Sequence, residues 1–182
     1  YEDIVISLKK IGLKNGDSIF SHCNIGFFGI LKGANTANDH YKIFKKSIFQ
    51  VIGEEGTLIV PTFTYSFCNG DVFDYENTPS SCGIFSEELR KDENSFRSFD
   101  ANFSVSAIGK NAKYFTENLS EYSFGKNSFW DKFYSVDGKI CNFNFDTGST
   151  YIHYVEKMLN VPYRVDKKFD GLVFSKNQKK QK

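Results

Sequence analysis

Histidine and cysteine are scarce in this chain, and neither is clustered. The four cysteines (Cys23, Cys68, Cys82 and Cys141) show no C-x-x-C spacing, and the three histidines lie far apart. Neither a zinc site nor a disulfide framework is indicated, and reduced thiols in a cytoplasm are the expectation. An excess of one charge is also missing. Lys+Arg 23 against Asp+Glu 22 leaves a net +1, which removes the electrostatic case for a nucleic-acid partner. No apolar run approaches the roughly 18 residues of a membrane helix, and the first residues do not resemble a signal peptide, so no membrane partner is expected. Walker and Rossmann glycine fingerprints are absent, as is the G-x-S-x-G elbow of a serine hydrolase. Internal repeats and low-complexity linkers are absent as well.

Apolar and aromatic residues are plentiful. With 182 residues, 40% hydrophobic and 17% aromatic, the chain can bury a proper core. A single domain over residues 1–174 is expected, followed by a solvated basic tail at 175–182. Helical spacing of Ile4, Leu8 and Ile11 is followed by a short buried strand at 18–22. A glycine-bearing loop (Cys23, Asn24, Gly26, Gly29) comes next. Residues 41–52 carry an amphipathic helix, with His40 a solvated residue before it, and 57–60 a strand buried on both faces. This alternation argues for a layered α/β fold. Residues 62–81 form a long polar and aromatic segment without periodicity, which is uncommon in a compact domain unless it serves a binding site. A short helix over 83–90 begun by Ser86, a strand near 104–109, a helix at 111–119 and a helical turn at 131–134 follow. The Asp137-Gly138 turn then leads into a strand at 139–145.

The most informative stretch is 140–156, ICNFNFDTGSTYIHYVE, which reads as strand, polar turn and helix. Ser149 or Thr150 can cap that helix, with Tyr151, Ile152, Val155, Met158 and Leu159 as its apolar face. His153 and Glu156 then share a face, with Thr150 one turn earlier. A hydroxyl, an imidazole and a carboxylate converging there suffice for proton transfer beside a developing oxyanion. The competing reading makes Thr150 a cap and the His-x-x-Glu pair structural.

Motif order extends this reading. G-D-S-I-F-S-H, G-E-E-G-T-L-I-V-P-T-F-T, F-D-Y-E-N-T-P-S, G-I-F-S-E-E-L-R, R-S, F-G-K-N-S, T-Y-I-H-Y-V-E and V-P-Y-R occur in succession between Gly16 and Arg164. Together they resemble the aminoglycoside 3-N-acetyltransferase (antibiotic N-acetyltransferase) family. The resemblance implies a three-layer α/β/α fold with a central mixed sheet, distinct from the GNAT fold. It also implies acetyl-CoA as cosubstrate without a metal, and an amino group of an amino sugar or aminoglycoside as acceptor. On this pattern His153 is the general base, Thr150 the hydroxyl near the thioester carbonyl, and Glu156 the acidic position of the same helix. The cofactor-facing walls are His22, Cys23 and Asn24, then Thr62, Phe63 and Thr64, then Arg97, Ser98 and Ser104. Asp74 and Glu87 are candidate acceptor-binding carboxylates. The chain departs from the family's R-S-x-H-P-x-H-S in having Asp100, Ala101 and Phe103 in place of the two histidines and the proline.

Two rival classes stand beside the transferase. One is a non-catalytic CoA- or sugar-binding member of the same fold. The other is a hydrolase using His153, Glu156 and a hydroxyl or thiol nucleophile. Between drug and glycan-precursor acceptors the residues do not choose, nor between Glu156 orienting His153 and Glu156 binding the acceptor. A homodimer stays compatible with all of them.

Overall fold

A computed structural model describes residues 1–175 and 178–181. The central sheet has strand order β4-β5-β2-β1-β6, built from β1 (Ser18–Phe20), β2 (Thr57–Pro61), β4 (Phe96–Arg97), β5 (Val105–Gly109) and β6 (Lys139–Ile140). β1 lies parallel to both β2 and β6, whereas β5 lies antiparallel to β2 and β4. The sheet is therefore mixed, as expected.

Side chains alternate across this sheet with the period of two that a strand imposes. Ile19, Leu58, Val60 and Ile108 enter one core with Leu8 of α1 (Glu2–Lys10), Phe44 and Ile48 of α2 (Ala37–Ile52), and Phe85 and Leu89 of α4 (Ile84–Lys91). Phe20, Ile59, Val105 and Ala107 enter the other. There they meet Phe115 of α5 (Ala112–Thr116), Phe129, Trp130 and Phe133 of α6 (Phe129–Ser135), and Tyr154 of α7 (Tyr151–Met158). Continuous apolar strands are what a sheet covered on both faces requires, and the result is three layers.

A second, smaller sheet joins β3 (Phe73–Asp74), β7 (Leu172–Ser175) and β8 (Gln178–Gln181) in the order β3-β7-β8. Its cluster of Phe67, Phe73, Ala101 and Val173 buries aromatics of the 62–81 segment, Phe67 lying in α3 (Ser66–Asn69). The span 175–182, expected as a tail, contributes the end of β7 and all of β8, while residues 176, 177 and 182 lie outside those described. Among the described residues, no helix is long and apolar enough to cross a membrane.

Four local expectations are corrected. α2 begins at Ala37 because Thr36 and Asp39 form a capping box, which places His40 in its first turn with the ring engaged by the Leu31 N–H and the Thr36 carbonyl. α4 begins after Gly83 (φ 90°), so Ser86 is inside it and fully buried. The expected strand at 139–145 shortens to β6 and a single bridge between Cys23 and Phe143, beyond which Asn144 turns the chain with a left-handed φ of 48°. The helix expected over 111–119 stops at Thr116, and Asn118 is left-handed, with φ 51°.

Gly109 closes β5 at φ +118°, and a Cβ there would sit 2.2 Å from the Gly56 carbonyl oxygen. Gly109→Ala is therefore expected to destabilise the fold by about 2–3 kcal/mol. Gly70→Ala, at φ +76° and ψ 17° in open space, carries only the left-handed backbone cost of about 1 kcal/mol. Urea unfolding of both variants checks this, and equal costs would remove the steric component.

Candidate active site

α7 is fixed by its inward face. Tyr154 donates to Asp131 Oδ1 at 2.8 Å and Tyr151 packs edge-on to Trp130. His153 and Glu156 occupy the neighbouring face, and His153 Nδ1 lies 2.9 Å from Glu156 Oε2. Glu156 is well covered and the imidazole half-covered, their side chains being 12% and 37% exposed. The His153 bond, joined by Arg164, holds the Glu156 carboxyl below its usual range. An ionised carboxylate can only accept, so Nδ1 carries the proton and Nε2 presents the basic lone pair of the neutral ring. Ser149 accepts from the Tyr151 N–H at 3.3 Å. Thr150 makes no capping hydrogen bond, its backbone being already helical. Its hydroxyl therefore stands one turn before His153 without that duty.

Rings connect this helix to the sheet. His153 meets Phe124 at 5.3 Å between centroids, Phe124 meets Phe103 at 5.0 Å, Phe103 meets Phe63 at 5.4 Å, and Phe63 meets His22 at 6.5 Å. Phe145 then stacks on His22 at 5.1 Å. Segments far apart in sequence are thus brought into one aromatic wall. His22 follows β1, and burial lowers its pKa despite the nearby Asp146. Its Nε2 is buried without a hydrogen-bond partner among the described residues. The turn beyond it, residues 25–29, exposes Phe27 and carries glycines at 26 and 29.

The other residues expected in the cofactor walls divide. Cys23 is buried, and desolvation pushes its thiol well above the ordinary range, which disfavours the thiolate a nucleophile needs. Asn24 is exposed and its N–H donates to the Phe143 carbonyl. Phe63 belongs to the aromatic wall. Thr64 donates to the Ala101 carbonyl at 2.6 Å. Thr62, Arg97, Ser98 and Ser104 are buried, and their polar atoms are taken up internally. Arg97 donates through Nη1 to the Tyr75 and Thr78 carbonyls, through Nη2 to the Thr62 carbonyl and through Nε to Ser104 Oγ. Ser98 Oγ accepts from the Val105 N–H. Hydrogen bonds of these four thus tie β2, β4 and β5 together at the edge of the aromatic wall.

Neither candidate acceptor carboxylate is uncommitted. Asp74 accepts from the Glu76 and Asn77 N–H groups and from the Asn77 side chain, closing its own turn. Glu87 accepts from Arg90, Lys91 and the Ser80 N–H. Among the described residues, no group of three or more His, Cys, Asp or Glu is arranged to hold a metal ion. No local spacing singles out Phe145 or Arg164, although V-P-Y-R carries the second.

A model of the family described as aminoglycoside 3-N-acetyltransferase matches residues 22–182. No curated protein matches the chain. Among solved structures the chain is similar to aminoglycoside acetyltransferase AAC(3)-Xa, with TM-score 0.85, 18% identity and coverage of 100% of this chain and 69% of that one. AAC-IIIb, solved as a binary complex with CoASH, gives 0.83, 20%, 100% and 73%. AAC-VIa bound to sisomicin gives 0.79, 18%, 99% and 72%. At these identities the likeness shows the fold.

Glu87 supplies a pH test of its pairing with Arg90. Burial alone would raise its pKa, but Arg90, the Ser80 N–H and Lys91 outweigh this and hold it at about 2, against 4.5 for the ordinary group. A depressed folded pKa contributes stability above the unfolded value that is lost as pH falls. Urea-unfolding free energy is therefore expected to drop between pH 4.5 and 2, with a shallower drop in Glu87→Gln. An identical pH dependence in both proteins would refute the pairing.

Proposed function

The chain belongs to the aminoglycoside 3-N-acetyltransferase family, and from that membership we propose that it is an acetyl-CoA-dependent N-acetyltransferase. Its acceptor is an amino group of an amino sugar or aminoglycoside-like compound, and transfer is direct, with His153 as general base. The observation that carries this reading is the 2.9 Å bond between His153 Nδ1 and Glu156 Oε2, which leaves Nε2 as the basic atom. The neighbours that bind CoASH and sisomicin support the two substrate classes.

The cosubstrate supplies an acetyl group already activated as a thioester. An amine attacks it only as the free base, so His153 Nε2 takes a proton from the attacking nitrogen and returns it to the departing sulfur as the C–N bond forms and the C–S bond breaks. Glu156 holds the imidazole tautomer and steadies its cationic form. Thr150 and nearby N–H groups supply donors toward the carbonyl oxygen. His22 and the 25–29 turn are the residues that would hold the cosubstrate arm. The high pKa of Cys23 fits direct transfer better than an acyl-enzyme.

Thiol release from acetyl-CoA is expected with at least one member of an amino-sugar and aminoglycoside panel. His153→Ala should lower that rate by about 100-fold or more while acetyl-CoA binding persists. Acceptor-dependent release that survives His153→Ala undiminished would overturn the assignment of the base, and an acetyl group trapped on Cys23 would overturn direct transfer.

A further inference from the structure

We propose that His22 and Asn142 form a two-point polar subsite for one uncharged ligand group that both donates and accepts a hydrogen bond, a hydroxyl or a secondary amide. Four buried side-chain polar atoms lack a hydrogen-bond partner among the described residues, and two of them are His22 Nε2 and Asn142 Oδ1. Those two residues stand at one level of adjoining chain segments.

Register and pleat bring them together. β1 and β6 run parallel with Phe20 opposite Ile140. The same register continues through the Cys141 N–H to the Phe20 carbonyl, the Phe143 N–H to the His22 carbonyl and the Cys23–Phe143 bridge, so His22 is level with Asn142. Cys23 and Phe143 both enter the core beneath α2 and α4, and the residues just before them therefore project from the opposite face. That is the face covered by α6 and α7, where the Phe20 ring meets His22 edge-on at 5.1 Å.

Local bonds decide which atoms remain. Asn142 Nδ2 donates to the Asp146 and Gly148 carbonyls at 2.7 and 2.9 Å. Only the amide nitrogen can serve two carbonyls, so the side chain cannot turn over and Oδ1 is the end directed elsewhere. Asp146 is engaged in the same turn, its Oδ1 accepting the Gly148 N–H at 2.7 Å. Phe145 stacks on His22 and is itself half-exposed, which puts the pair one ring below solvent. Burial favours the neutral imidazole, whose Nε2 donates or accepts according to tautomer, whereas Oδ1 can only accept. An occupant must donate to Asn142, and with the proton on Nε2 it accepts from His22, which a hydroxyl or a secondary amide does at once. An ion would be stripped of water between aromatic walls without a counter-charge bonded to it. Each orphaned atom destabilises the fold, and two at one level mark a place that a bound group completes.

The subsite deepens the transferase reading and rests on it for the ligands: the arm of acetyl-CoA carries secondary amides, and an amino-sugar acceptor carries hydroxyls. Calorimetric Kd values are measured for CoA and, separately, for sisomicin in the parent, His22→Phe, Asn142→Leu and the double variant. For one of the two ligands, each single variant is expected to raise Kd about tenfold. The double variant should fall well short of the product of the two, since both residues hold one group. Coupling seen with CoA places an arm amide at the pair, and coupling seen with sisomicin places an acceptor hydroxyl there and moves His22 to the acceptor side. Should Asn142→Leu fail to fold, the parent decides, because the Asn142 side-chain amide and His22 ring NMR signals must shift together along one binding curve. An unchanged Kd for a ligand that binds, as when water alone fills the pair, overturns the subsite and leaves the transferase reading standing. Single effects that multiply independently, or signals unmoved by binding, do the same. Binding of neither ligand to the parent overturns both.

Discussion

A guanidinium inside a protein stays charged and must be supplied with acceptors in several directions at once. Arg97 meets that demand with three backbone carbonyls and one hydroxyl, and lies over the Phe73 ring at 4.9 Å. Burial lowers its pKa to about 10, which leaves it cationic at neutral pH. Those four acceptors lie on three separate pieces of chain: the residue after β2, the 75–78 turn, and the residue before β5. Because the charge cannot be left unpaired, these pieces cannot drift apart independently. The small sheet and its aromatic cluster are held to the main sheet by this requirement.

The aromatic wall follows from the same tie. Phe63 lies one residue beyond Thr62, and Phe103 one residue before Ser104, so fixing the two polar residues fixes the two rings. The residues that replace the family's histidines and proline have found structural work in this arrangement. Asp100 Oδ1 accepts the Asn102 and Phe103 N–H groups, Ala101 packs with Phe67, Phe73 and Val173, and Phe103 joins the wall. The altered loop is thus packed and hydrogen-bonded in its own way.

Two histidines at opposite ends of that wall sit in different electrostatic settings. Burial disfavours the charged form of His22, whereas His153 faces an ionised carboxylate and is half-exposed. A neutral imidazole suited to hydrogen bonding and an imidazole suited to proton exchange are what an acyl-transfer site needs in separate places. Asp74 and Glu87, by contrast, are turned to internal partners.

Some of this was written in the order of residues. The apolar run at 57–60, the alternation at 104–109, the amphipathic pattern of α2 and the spacing of His153 and Glu156 all depend on neighbours a few positions apart, and periodicity of 2 or 3.6 places those on known faces. The resemblance in motif order reached the family and the mixed three-layer sheet. Tertiary structure alone decided which polar residues remain available. The carbonyls that take up the Arg97 guanidinium lie 19 to 35 residues away along the chain, beyond the reach of any local spacing. Arg164 acquired its place only when the chain reversed at Asn160. Periodicity is a property of consecutive residues and survives in the bare sequence. Hydrogen-bond partnership and burial are properties of closure, because they depend on which distant segments arrive first at the same acceptor.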